Sequence, residues 1–219
     1  LQNLSKHIAE DKIAVIYHGV DEKLLEDTGK RLPEVKRTEG TIILGNAGRL
    51  TTQKGQHLLI DVAEKLKSRA VDFKLYIAGT GELYESLKSD IEQKGLQKEV
   101  ILLGFVEDME AFMQSIDVFL LSSSWEGFGF VIVESMAKGK PVVAFDITSN
   151  PEIISDGKTG LLAEHLDVDD FADKTEQLIK NTELRTRMSN AAKQSVNQRF
   201  LIEERISELE EYLLKNYKT

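Results

Sequence analysis

The chain has 219 residues, 41% of them hydrophobic and 30% charged, a balance typical of a globular protein rather than a disordered one. Its 28 basic and 37 acidic residues give a net charge of −9, which argues against a nucleic-acid partner, because such proteins carry a basic surface. The absence of cysteine excludes disulfide frameworks, zinc ribbons and cysteine nucleophiles. The four histidines lack metal-ligand spacing, so we expect no metal site. No apolar run approaches the ~20 residues that span a bilayer, and the sequence has no signal-peptide pattern, so we expect a soluble, cytoplasmic protein.

Residues 1–40 contain one strand-like run, Ile13–Tyr17, followed by a polar segment, and we interpret them as an entry segment. From residue 41 onward, short β-branched runs alternate with helical patterns. The predicted strands are Ile42–Ala47, Phe73–Ala78, Val100–Leu103, Val118–Leu121, Pro141–Phe145 and Gly160–Ala163. The predicted helices are Gln56–Lys67, Leu83–Lys94, Met109–Gln114, Phe130–Lys138, Asp167–Asn181, Thr182–Gln198 and Ile202–Tyr217.

These strands are apolar on both faces, as expected of a parallel sheet covered by helices on each side. The alternation predicts right-handed βαβ units and an α/β fold with a Rossmann-like, doubly wound parallel sheet over residues 41–200. The three last helices follow one another without strands, so the fold ends in a helical C-terminal tail. Ligands of such sheets bind where the strands end, and the loops that follow the strands are the candidate site.

The loop after the first strand carries two cations between glycines, in the run from Gly48 through Arg49 and Lys54 to Gly55. Beside the N–H groups of a helix start, these cations form a candidate clamp for a diphosphate. The alternative is a pair of solvated basic residues on a surface loop.

The next two loops offer weaker signals. Gly79 and Gly81 begin a near match to the dinucleotide fingerprint G-x-G-x-x-G, but Tyr84 occupies the third glycine position, which argues against NAD. We interpret these glycines as a tight turn that lets the backbone approach a ligand. After the third strand, Phe105 and Val106 precede Met109, and these residues could form a slot for a flat base or simply pack in the core.

The loop after the fourth strand contains Glu126 and a glycine-bracketed helix start, followed by an apolar helix with Glu134 inside it. An unpaired carboxylate among apolar neighbours costs several kcal/mol, so Glu134 needs a partner. A ribose diol offers two donors to one carboxylate, and an ion pair with a nearby lysine or arginine is the alternative. Glu126 could receive a sugar hydroxyl or stabilise the helix dipole. The predicted backbone donors are those of Gly127, Phe128, Gly129, Phe130 and Val131.

The pair Glu126-x7-Glu134, within the run Glu-Gly-Phe-Gly-Phe-Val-Ile-Val-Glu, resembles the E-x7-E signature of family 4 glycosyltransferases, the "group 1" retaining enzymes of GT-B fold. The Gly48-Arg49-Leu50…Lys54-Gly55 loop resembles the G-R-L…K-G loop of that family, and the motifs occur in the family's order over almost the whole chain. The resemblance implies a nucleotide-sugar donor, UDP- or GDP-linked, and transfer of a hexose-type sugar with retention and without a metal.

The resemblance also implies roles for the site residues. Arg49 and Lys54 would bind the diphosphate, Glu134 the ribose, and Glu126 with the amides that follow it the donor sugar. Phe105, Val106 and Met109 would line the base. Gly79-Thr80-Gly81-Glu82, Asn150 and His18 depart from the family pattern; we expect His18 to affect only a turn.

GT-B enzymes have two Rossmann-like halves, and we expect this chain to be the C-terminal, donor-binding half. Its last helix, in residues 201–219, would pack on the N-terminal half, which binds a glycan or glycolipid acceptor and can associate peripherally with a membrane. We expect the chain alone to bind donor weakly and to transfer nothing. The alternatives are a GT-B nucleotide-sugar epimerase, an NAD(P) oxidoreductase and a non-catalytic nucleotide-binding module.

Overall fold

A computed structural model describes residues 13–216 of the chain. The strands of this part of the chain are β1 (Ile42–Ala47), β2 (Phe73–Ala78), β3 (Val100–Gly104), β4 (Val118–Leu121), β5 (Val142–Phe145) and β6 (Gly160–Ala163). They form one sheet in the order β3-β2-β1-β4-β5-β6, in which every neighbouring pair is parallel. The predicted α/β Rossmann-like fold is confirmed. The strand order reverses between β1 and β4, which is where such sheets bind ligands.

The helices are α1 (Gln56–Ser68), α2 (Tyr84–Gln93), α3 (Met109–Ser115), α4 (Phe130–Ala137), α5 (Asn150–Ile153), α6 (Val168–Lys180), α7 (Thr182–Arg199) and α8 (Ile202–Asn216). The 3-10 turns Glu22–Leu25 and Thr52–Lys54 precede α1. Within residues 13–216, none of the helices combines the length and the apolar character that crossing a membrane requires.

Each face of the sheet is covered by a separate apolar core. In β4, Val118 and Leu120 pack on the side of α1, α2 and α6, whereas Phe119 and Leu121 pack on the side of α3 and α4. This alternation follows from the two-residue period of a strand, and it explains why the strands are apolar on both faces.

The predicted helices agree with the structure to within one residue at each described end. Tyr217, the predicted end of α8, lies outside the described residues. Strand β5 begins one residue later than predicted. Pro141 lies before the strand because proline has no N–H to donate, although its carbonyl accepts a hydrogen bond from the N–H of Phe119. Helix α5 was not among the predicted helices.

The predicted strand at Ile13–Tyr17 is wrong. Residues 13–19 have no regular secondary structure, and Val20 forms a single isolated bridge with Leu201. A β-branched run becomes a strand only beside a hydrogen-bonded neighbour, and here the run packs through a side chain instead. The ring of Tyr17 contacts those of Phe128 and Phe200, with centroids 6.2 and 5.9 Å away.

Helix α8 has no buried side chain within the described part of the chain. Its exposed apolar residues Ile202, Ile206, Leu209 and Leu213 fall at helical spacing along one stripe, with Leu214 beside it; all five are 38–64% exposed.

Gly55 joins the 3-10 turn Thr52–Lys54 to α1 in the left-handed conformation, with φ +65°. A Cβ atom there would lie 2.2 Å from the carbonyl oxygen of Ser122. Gly95 has the same conformation, with φ +64°, but nothing lies within 4 Å of its Cβ position. The two glycines therefore separate the cost of the conformation from the cost of the contact.

We predict that Gly95→Ala lowers the free energy of unfolding by about 1 kcal/mol, the cost of a left-handed L-residue. Gly55→Ala should lower it by at least about 2 kcal/mol more, because a backbone carbonyl has to move. Urea denaturation of both variants measures this difference. Equal losses would show that the contact between Gly55 and Ser122 does not constrain the fold.

Candidate functional site

A cleft of about 440 Å³ lies at the carboxyl ends of β1 and β4, at the reversal of strand order. It is lined by Ala47, Gly48, Lys54, Met109, Glu126, Phe128, Gly129, Phe130, Val131 and Glu134. A larger groove of about 790 Å³ lies between the 3-10 turn Glu22–Leu25 and α8, but no predicted site residue lines it. The smaller cleft is therefore the candidate site, since it collects residues from three predicted loops.

Lys54 and Glu126 form an ion pair at one side of this cleft. The Nζ atom of Lys54 lies 2.7 Å from Oε1 of Glu126, and the two side chains are 26% and 9% exposed. Ser123, fully buried, donates its hydroxyl to the same oxygen at 2.6 Å. Lys54, the cation predicted to bind a diphosphate, and Glu126, the residue predicted to bind a sugar, thus neutralise each other's charge in this structure.

Arg49, the other predicted cation, behaves differently. It does not line the cleft; its side chain is exposed and, among residues 13–216, has no hydrogen-bonding or ionic partner. Its carbonyl accepts a hydrogen bond of 3.1 Å from the side-chain amide of Gln56, which fixes the backbone of the loop. The guanidinium is therefore free to bind an anion.

Glu134 lies half-buried in α4, and burial raises the pKa of its carboxyl group above the ordinary value. No other side chain of the described region forms a hydrogen bond or ion pair with this carboxylate. Lys138, which directly follows the helix, instead donates hydrogen bonds to the carboxylate of Glu110 and the carbonyl of Glu26, both at 2.8 Å. The ion-pair alternative is thus absent from this region, and the carboxylate can accept hydrogen bonds from a ligand.

The loop that enters α4 presents backbone donors. Helix α4 begins at Phe130 without a side-chain cap. Gly127 is exposed, and Gly129 is buried with its Cβ position 2.7 Å from Ile132. Within residues 13–216, the N–H groups of Gly127, Phe128 and Gly129 have no acceptor. Unpaired donors at a helix start favour an anion or an oxygen-rich ligand.

Gly79 and Gly81 do not line the cleft. They do permit a close backbone approach, but the approaching group is the loop Gly48–Leu50: Cβ atoms would lie 1.9 Å from the carbonyl of Gly48 and 2.3 Å from that of Leu50. Hydrogen bonds of 3.0 Å from Gly48 to Ala78 and from Leu50 to Thr80 complete this junction. These glycines therefore hold the Arg49 loop in place.

The predicted base slot is only partly assembled. Met109 lines the cleft from the start of α3, and Val106 packs against the core beside it. The ring of Phe105 is 79% exposed and does not line the cleft. Gly104, the last residue of β3, has φ +72°, a left-handed backbone just before Phe105 that the strand pattern does not reveal.

Two contributions were not predicted. The ring of His18 lies 5.4 Å from that of Phe128 and 5.0 Å from that of Phe130, so His18 packs on the wall of the cleft rather than affecting only a turn. Thr148 accepts a hydrogen bond of 3.2 Å from the N–H of Glu126. The position of Thr148 after a strand was the only signal available for it.

The unpaired Glu134 leads to a pH-dependent prediction. Because its pKa is raised by burial, the folded protein binds this proton more tightly than the unfolded chain, and ionisation above pH 4.5 lowers the free energy of unfolding. We expect Glu134→Gln to be more stable than wild type near pH 7, with the difference shrinking as the pH falls to about 4. Urea denaturation at the two pH values measures it.

Glu110→Gln is the matched control. The hydrogen bond from Lys138 lowers the pKa of Glu110, so its ionised form stabilises the fold above its unfolded-state pKa, and the stabilisation is lost as the pH falls through the lowered pKa. This variant should be less stable than wild type near neutral pH, the opposite sign. A loss of stability in Glu134→Gln would show that the carboxylate has a stabilising partner.

The chain is similar to several characterised glycosyltransferases. It is 32% identical over 162 residues to the poly(ribitol-phosphate) alpha-N-acetylglucosaminyltransferase of Staphylococcus aureus, covering 74% of this chain and 33% of that protein. It is also 32% identical over 172 residues to the alpha-D-kanosaminyltransferase of Streptomyces kanamyceticus, covering 76% and 44%. The chain thus spans a third to a half of the length of these curated relatives.

Among solved structures, the chain resembles Anabaena HepE in complex with UDP and glucose, with a TM-score of 0.82 and 26% identity over 97% of this chain and 59% of that one. The family model described as "Glycosyl transferases group 1" matches residues 29–195, more than half of the chain. With the cleft, its two glutamates and Lys54 in place, the chain belongs to the group 1 glycosyl transferases.

Proposed function

We propose that this chain binds a nucleotide sugar and is the donor-binding half of a glycosyltransferase. The observation that carries this proposal is the partnerless carboxylate of Glu134 on the same cleft as Lys54 and the uncapped start of α4. A carboxylate for diol hydroxyls, cations for phosphates and backbone donors for further oxygens match the three parts of a nucleoside diphosphate sugar. The binding of UDP by the HepE structure supports UDP ahead of GDP as the nucleotide.

Each side chain has a role in this proposal. Glu134 accepts hydrogen bonds from the ribose hydroxyls, while Met109 and Val106 contact the base. Lys54 turns from Glu126 to the diphosphate, where Arg49 joins it from its exposed loop. Glu126 then accepts a hydrogen bond from a hydroxyl of the donor sugar.

The proposed reaction breaks the bond between the anomeric carbon and the β-phosphate oxygen and forms a bond from that carbon to an acceptor hydroxyl oxygen. Negative charge grows on the departing phosphate, and Arg49, Lys54 and the N–H groups at the start of α4 stabilise it electrostatically. The proton of the acceptor hydroxyl leaves with this phosphate or to solvent. We propose retention of the anomeric configuration, with the chain's own cations in the role that a metal has in other transferases.

The transferred sugar is proposed to be a hexose, and the acceptor a glycan or glycolipid bound by a second domain. The named N-acetylglucosaminyl and kanosaminyl transferases support a hexose-type donor. The exposed apolar stripe of α8 supports a further domain that covers it. We propose a cytoplasmic location, which the lack of cysteine in this chain supports, and peripheral membrane association of the whole enzyme through the second domain.

We predict that wild type binds UDP or a UDP-sugar saturably in a calorimetric panel that also contains GDP, ADP and their common sugar conjugates. Arg49→Ala should weaken the nucleotide affinity by about tenfold or more, since it removes a charge-assisted contact to phosphate. Arg187→Ala, an exposed arginine of α7 outside the cleft, is the control and should bind as wild type does. If no nucleotide or conjugate binds, the proposed function is wrong.

A further inference from the structure

We propose that Ser123 and Thr148 are positioning residues that set the contact between Glu126 and the donor sugar. The inference rests on the proposed function, because it concerns the sugar end of the same cleft. Neither residue lines the cleft, so both act through Glu126.

Ser123 fixes the carboxylate of Glu126 through one oxygen. Its buried hydroxyl donates to Oε1 at 2.6 Å, and Lys54 donates to that same oxygen at 2.7 Å. A carboxylate oxygen accepts about two hydrogen bonds, so Oε1 is occupied. Ser123 follows the end of β4 by two residues, which places its hydroxyl on the rigid edge of the sheet.

The other oxygen of Glu126 remains for a ligand. Within residues 13–216, Oε2 receives no hydrogen bond, and it is not one of the fully buried oxygens that lack a partner. Glu126 lines the cleft, so Oε2 is the atom that meets solvent there. We assign to it the hydroxyl of the donor sugar.

Thr148 fixes the backbone of Glu126. Its hydroxyl accepts the N–H of Glu126 at 3.2 Å, and its own backbone has φ +42°, in the left-handed region. A β-branched residue is rare in this region, where glycine would be relaxed. A strained residue whose side chain bonds a site residue is typical of positions where the strain serves the site.

These anchors matter most after the donor has bound. Once Lys54 turns to the diphosphate, Oε1 loses its cation, and the Ser123 hydroxyl is left to hold the carboxylate plane. Loss of either anchor should therefore weaken the contribution of the sugar to the binding affinity and leave the affinity for the nucleotide unchanged. A residue with a merely structural role would change both affinities together.

The test is calorimetry with UDP, UDP-glucose and UDP-N-acetylglucosamine, and with GDP and GDP-mannose as a second pair. The readout is the ratio of the nucleotide Kd to the Kd of its sugar conjugate. Ser123→Ala removes a hydrogen bond to the carboxylate of Glu126, and Thr148→Gly removes the acceptor of the Glu126 N–H. We expect each change to lower this ratio by about fivefold or more, the loss of one hydrogen bond. The Kd of the free nucleotide should change by less than about twofold.

Three comparisons keep this result separate from misfolding. Thr148→Gly relieves the left-handed strain, so its Tm should be no lower than that of wild type even though the hydroxyl is gone. Thr148→Ser keeps the hydroxyl and should keep the ratio. Ser124→Ala is the control for Ser123, because the Ser124 hydroxyl bonds the carbonyl of Gln53 at 3.2 Å rather than Glu126.

The outcomes are distinguishable. If wild type binds a nucleotide but its conjugate no more tightly, or if both variants keep the wild-type ratio, the positioning role is overturned and the proposed function stands. Equal losses for nucleotide and conjugate would also overturn it, in favour of a structural role. If wild type binds none of these compounds, the proposed function fails first, and this inference fails with it.

Discussion

The candidate site depends on backbone segments that approach one another more closely than any side chain would permit. Gly55 lies against the carbonyl of Ser122, and Gly79 lies against that of Gly48. The first contact brings the end of the Lys54 turn onto the loop that follows β4, and the second fixes the start of the Arg49 loop on the end of β2. Sheet geometry alone brings strand ends to one edge; these glycines bring the loops within hydrogen-bonding distance of each other.

The electrostatics of the cleft follow from this close approach. In a chain of net charge −9, the cleft contains a lysine whose charge is matched by Glu126 and a second carboxylate, Glu134, that has no match in the described residues. The matched pair lowers the cost of burying both charges in the free protein. The unmatched carboxylate destabilises the fold as it ionises, and a ligand that donates to it offsets that cost. The ionised Glu134 thus lowers the free energy of unfolding, and it does so at the position best suited to bind a hydrogen-bond donor of a ligand.

The sheet and its helices were predictable because a buried parallel strand leaves a pattern that depends on few neighbours. Val118–Leu121 is apolar on both faces wherever it lies in the sheet, and its boundaries are those predicted. The run Ile13–Tyr17 has similar composition, but it has no strand beside it in the structure. Composition identifies a segment that is able to pair, whereas the pairing itself is a property of the assembled sheet.

The site was predictable as a set of loops and not as a set of contacts. Lys54 and Glu126 were both identified from their loops, but their ion pair joins residues 72 positions apart, and nothing in either loop indicates it. Phe105 was placed in a base slot from its position after a strand, but its ring lies in solvent, directly after the left-handed backbone of Gly104. Thr148 shows the same limit, because the strain at its backbone depends on the path of the whole loop.

The loop that enters α4 is held in place from two sides, and this rigidity affects the free energy of ligand binding. On one side, Ser123 and Thr148 hold Glu126. On the other, the rings of Tyr17 and His18 lie 6.2 and 5.4 Å from that of Phe128, so the coil before Val20 supports the loop through its side chains. A loop fixed in this way loses little conformational freedom when a ligand arrives, and more of the contact energy becomes binding free energy. The reorganisation that remains is the turn of Lys54 from Glu126 to the ligand, a movement of one flexible side chain within a preformed backbone.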